Sequence, residues 1–81
     1  MKFNVLYFGI AKDFSGKRTE SFFYEAAPSI EQFKRDLQIK FPELSKIKSY
    51  RIAKNESFVT QMNEQIQDGD EIANIPPVSG G

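Results

Sequence analysis

The sequence predicts an α+β fold: a mixed sheet packed on one main helix, with an extended tail behind it. Three observations predict it. The β-rich stretches run strand, strand, helix, short strand pair, strand, so hairpins outnumber β-α alternation. A single segment, residues 29–41, has helical apolar spacing. Finally, Pro76-Pro77 follows the last strand-like stretch at a point where a sheet ladder cannot continue.

Residues 2–8, Lys-Phe-Asn-Val-Leu-Tyr-Phe, are rich in strand formers. Alternation puts Phe3, Val5 and Tyr7 on one face and Asn4, Leu6 and Phe8 on the other. Polar Asn4 marks the second face as at least partly exposed, which would leave Leu6 and Phe8 available to a partner; the alternative is that a mixed fold covers both faces. The connection from Gly9 to Gly16 has room for one helical turn around Ala11-Lys12-Asp13-Phe14. Lys17 to Glu25 reads as a second strand, antiparallel to the first.

Ser29 fits a helix N-cap, with Gln32 completing a capping box and Glu31 suiting the helix dipole. Ile30, Phe33, Leu37 and Phe41 then form one apolar face, which is core. Pro42 ends the helix by pushing its predecessor out of the α region. Residues 49–53 form a short strand, Lys54-Asn55-Glu56 a turn, and residues 57–60 a returning strand. Phe58 and Val59 point to opposite faces, so one of them faces outward. Residues 61–67 are polar and irregular. Asp68-Gly69-Asp70 is a turn, and Glu71 to Ile75 is the last strand. With the first and last strands side by side and the helix across one face, this is the β-grasp arrangement. The division is a β-grasp domain over residues 1–75 and a flexible tail over residues 76–81.

The composition excludes most catalytic chemistry. The 81 residues carry 40% hydrophobic and 14% aromatic side chains, enough for one small core. His, Cys and Trp are absent. The usual zinc, copper and iron–sulfur ligand sets are therefore missing, as are thiol and His-activated nucleophiles. No Gly-rich phosphate loop and no obvious acid/base carboxylate pair is present. No metal site is expected, and a role as substrate or carrier fits better than a role as catalyst. No apolar run is long enough to span a membrane and no signal-peptide pattern is present, so the cytoplasm is the expected compartment. Net charge is zero but segregated, with no Lys or Arg from Glu56 onward. The basic middle of the chain reads as a solvated face, not a nucleic-acid site. The acidic stretch leading to the tail predicts a basic partner surface there.

The tail itself is the most informative stretch. Pro76-Pro77 stiffens its start, and six extended residues reach roughly 20 Å at ~3.1–3.5 Å each. Gly80-Gly81 presents almost no side chain, so backbone can enter a narrow channel. The only reactive group at the tip is the terminal carboxylate of Gly81.

Three stretches resemble the small, sulfur-carrier subunit family of molybdopterin synthase, a ubiquitin-like β-grasp family. They are residues 5–16, Asn55 at the turn between the short strands, and Asp68–Ala73 followed by Pro76-Pro77-Val78-Ser79-Gly80-Gly81. The resemblance covers essentially the whole chain, and its specific part is the ending. It implies that an E1-like activating enzyme, using ATP and Mg, adenylates the Gly81 carboxylate and that sulfur then gives a thiocarboxylate. It implies insertion of the tail, Pro76 to Gly81, into the synthase large subunit, where sulfur passes to a cyclic pyranopterin precursor. The chain itself would bind no cofactor, and Gly81 with Gly80 would be the reacting end. The family's hydrophobic docking positions map onto Phe8, Phe58 and Ile75. Asn74 and Ile75 depart from the more aromatic character expected there. Neighbouring alternatives are a carrier for thiamine or tRNA thiolation, a ubiquitin-like protein modifier, and a binding module with an inert tail.

Overall fold

The computed structural model describes residues 1–47 and 50–77. The elements are β1 (Lys2–Tyr7), α1 (Ile10–Ser15), β2 (Thr19–Phe23), α2 (Ile30–Lys40), a 3₁₀ helix (Pro42–Lys46), β3 (Arg51–Lys54), β4 (Ser57–Phe58) and β5 (Glu71–Ile75). They form one mixed sheet in the order β2-β1-β5-β3-β4. β1 pairs antiparallel with β2 and parallel with β5, and β5 pairs antiparallel with β3. The first and last strands thus lie side by side, as expected of a β-grasp fold.

Alternation decides the two faces. Phe3, Val5 and Tyr7 of β1 and Ile72 of β5 are buried against Ile30, Phe33 and Leu37 of α2 in one cluster. Phe33 meets Phe3 and Phe22 edge-on, with ring centroids 5.6 and 5.4 Å apart. The Ser29 side chain accepts the Gln32 amide hydrogen at 3.1 Å, which is the hydroxyl half of the expected capping box. Two side-chain links tie the sheet to α2. The Tyr24 hydroxyl donates to Asp36 at 2.7 Å, and Glu20 of β2 bonds Lys40 and receives the Tyr7 hydroxyl at 2.9 Å. Burial raises the Glu20 carboxyl, but the bonds from Lys40, Tyr7 and Lys17 prevail and hold it below its ordinary range.

Three departures have physical causes. Pro42 does end α2, but it also opens the 3₁₀ helix, where its missing N–H is no loss, and buried Leu44 holds that turn on the core. The polar stretch 61–67 supplies a core residue, Ile66. The Ile66 amide donates to the Pro28 carbonyl at 2.9 Å and the Ile30 amide to the Glu64 carbonyl at 2.8 Å, which fastens this loop under the start of α2. Strand bounds also shift: β3 runs from Arg51 to Lys54 and β4 stops at Phe58. The turn between them has positive φ at both Asn55 (51°) and Glu56 (72°), the two-residue hairpin geometry that matches strand twist.

Candidate docking face and tail exit

The sheet face opposite α2 carries a shallow apolar groove. Its walls are Leu6 and Phe8 at β1, Ala73 and Ile75 on β5, Ala53 on β3 and Phe58 on β4, with Glu56 and Glu71 at the edge. The same alternation that buries Phe3, Val5 and Tyr7 turns Leu6 and Phe8 outward. Phe8 is 48% and Phe58 51% exposed, while Val59, next to Phe58, is buried. The structure therefore gathers Phe8, Phe58 and Ile75 around one groove. Ala53, Ala73 and Arg51 were not singled out from the sequence, although stepping back two residues from Ile75 reaches Ala73. The Arg51 guanidinium lies over the Phe58 ring, 4.0 Å from its centre, a cation–π contact at the side of the groove.

The tail leaves from the end of this groove. Pro77 is exposed but Pro76 is buried, so the stalk leaves the body one residue later than the expected start at Pro76. Pro76 is seated against Gly9, where an added Cβ would lie 3.2 Å from the proline Cγ. Gly9 has φ 54° and ψ −133°, a conformation open mainly to glycine. The expectations for Val78, Ser79, Gly80 and Gly81 lie outside the described residues.

Asn74 and Ile75, grouped together from the sequence, separate here. Ile75 lines the groove. Asn74 points the other way and is 0% exposed, with neither amide atom hydrogen-bonded. Asn74 is thus a feature of the core and does not disturb the groove.

The expected charge near the tail is corrected as well. Asp68, Asp70 and Glu71 precede the tail in sequence but occupy the opposite end of β5. The Lys2 amide donates to Asp68 at 2.8 Å, and Asn55 donates to Asp70 at 3.1 Å. Around the tail exit the structure instead places Arg51, in register with Ile75, and Arg18, whose carbonyl accepts from the Tyr7 amide at 2.8 Å. Lys12 joins them, flanking a depression with Phe8, Gly9 and Arg18. Proximity in sequence misled because a strand carries its two ends to opposite sides of the sheet.

Among the described residues the groups with shifted proton affinity are Tyr7, Tyr24 and Tyr50, raised first by burial, and Glu20, and none of them lines the groove. Among the described residues no cluster of carboxylates could hold a metal ion, and no helix is long and apolar enough to cross a membrane. The arrangement offers a surface and an exit.

This face and fold have relatives. The chain is 37% identical to the molybdopterin synthase sulfur carrier subunit of Caenorhabditis briggsae, over 95% of this chain and 94% of that one. It superposes on a chain of the solved complex between subunits 1 and 2 of the molybdopterin-converting factor from Helicobacter pylori, with TM-score 0.73, 26% identity and 100% of both chains covered. The small archaeal modifier protein 1 of Haloferax volcanii shares the fold, with TM-score 0.80 at 20% identity over 95% of this chain and 98% of that one. The ThiS family model matches residues 5–81, and the chain belongs to the ThiS family.

Proposed function

We propose that this chain is the sulfur carrier subunit of a molybdopterin synthase. The observation that carries the proposal is the likeness, along 95% of the chain, to a relative of that name. In this reading the Gly81 carboxylate attacks ATP in an E1-like enzyme, with Mg, to give an acyl adenylate and pyrophosphate. A carboxylate is a poor acyl donor, and the adenylate supplies the leaving group that lets sulfur enter. The resulting thiocarboxylate is carried into the large subunit and donates its sulfur to a cyclic pyranopterin precursor. Proton-transfer groups belong to that partner, and this chain binds no cofactor of its own. We assign the chain to the cytoplasm, since with no Cys it needs no oxidising compartment.

The geometry supports this reading through adjacency. Phe8, Phe58 and Ile75 would dock on the large subunit, and Ile75 is followed at once by Pro76, fixed on Gly9. A partner seated in the groove would therefore receive Pro77, Val78, Ser79 and the glycine pair from a defined point. Fixing the tail's origin reduces the freedom lost when its tip reaches the reacting atom.

Adding one alanine after Gly81 tests the mechanism. The variant should keep its unfolding transition and its affinity for the large subunit, yet transfer no sulfur in a reconstituted synthase assay. Sulfur transfer by the extended chain, with no trimming seen by mass spectrometry, would overturn the proposal.

A further inference from the structure

The docking face is polarised along the strands. At the tail end stand Lys12, Arg18 and Arg51, with Asp13 offsetting one of the three. At the other end stand Glu56 and Glu71 on the groove edge, with Asp68 and Asp70 in the adjoining turn and Lys2 offsetting one of the four. Lys54, also at that end, is paired with Glu64 at 2.6 Å. Among the described residues, Lys12, Arg18, Arg51, Glu56 and Glu71 form no ion pair. The five residues of β5 span about 13 Å at ~3.3 Å per residue. That exceeds the screening length of ~10 Å at 0.1 M salt, so the two poles act as separate charges.

From this pattern we infer that the face docks on a protein whose matching surface carries carboxylates around the opening that receives the tail. The inference rests on the reading of the chain as a carrier subunit, and adds the charge of the partner and the direction of docking. Phe8 and Ile75 stand at the tail end of the groove, Leu6, Ala53 and Ala73 in its middle and Glu56 and Glu71 at the far end, and apolar contact alone does not set the direction of docking. The two poles remove that ambiguity. Reversed docking sets the carboxylates of the far end, Glu56 and Glu71, against the partner's carboxylates, and like-charge contacts of this kind reject wrong orientations. The correct direction is also the one that brings the tail to its opening. Arg51 has a second contact, since its guanidinium lies on the ring of Phe58, which lines the groove. Lys12 and Arg18 act through charge and are the residues to test.

The experiment is stopped-flow association of the chain with the large subunit of molybdopterin synthase across a range of salt, for the wild type and for the double variant K12E/R18E. Arg18 is exposed and Lys12 half-buried, and circular dichroism checks that the variant is folded. The expected result at low salt is an association rate constant at least about tenfold below wild type, with the gap closing near 1 M salt, where screening acts within ~3 Å. K12Q/R18Q should fall between the two. A variant that associates as fast as wild type at low salt overturns the inference. So does a deficit that persists unchanged at high salt, which would report lost packing instead of lost charge. Wild-type chain that fails to associate at any salt concentration removes the carrier-subunit reading itself, and the inference with it.

Discussion

Asn74 sits in an environment that fits it badly. Its amide is fully buried in the core side of β5 with no hydrogen-bond partner, and a buried polar group left unpaired costs about 1–3 kcal/mol. Replacing it by valine removes that cost and adds a better strand former. Asn74→Val should raise stability by about 1 kcal/mol or more, read as a higher denaturation midpoint at unchanged slope in urea. A lower midpoint would mean that the amide is stabilised in a way its surroundings do not reveal. The sequence could not announce this residue, because its neighbour Ile75 faces the partner groove while Asn74 faces inward. Phe58 and Val59 were legible by comparison: two adjacent apolar residues in extended chain must split between faces, and the exposed one is Phe58.

At the scale of elements, the legible parts were those with local chemistry. Ser29 caps α2 through its own hydroxyl, Gly69 turns the chain at φ 83°, and the periodicity of Ile30, Phe33 and Leu37 marks the buried face. The parts that were not legible depend on distant partners. Ile66 is one apolar residue in a polar stretch, with no period to mark it, and only its contact with the start of α2 makes it core. The seat of Pro76 on Gly9 joins residues far apart in the chain. It predicts that Gly9→Ala is destabilising for two reasons, the positive φ and a Cβ 3.2 Å from the proline ring. Backbone strain of this kind costs about 1–3 kcal/mol. The denaturation midpoint should fall accordingly. An unchanged midpoint would show that α1 and the tail base adjust freely and that Gly9 does not hold the exit.

At the scale of the whole molecule, topology turns a neutral chain into a polarised one. Net charge is zero, yet the strand pairing collects cations from α1, the connection before β2 and β3 at the tail exit and leaves the carboxylates at the far end. The fold class was readable from element order, and the groove in part from alternation. The polarity was not readable, because it depends on strand register. The same topology puts β5 in the middle of the sheet, so the tail springs from a strand paired on both sides. A carrier needs a body that stays folded while its end is adenylated, sulfurated and inserted, and a tail that leaves from one place. The chemical state of that end decides whether the chain is a carrier. Tandem mass spectrometry of the protein purified from its own cells, localised to the C-terminal peptide, tests it most directly. Localisation matters because replacing oxygen by sulfur adds nearly the same mass as oxidising Met1 or Met62. The account predicts sulfur in place of oxygen on the Gly81 carboxylate. Gly81 found only as free carboxylate, even after incubation with the activating enzyme, a sulfur donor and ATP, or found joined to lysines of other proteins, would contradict it.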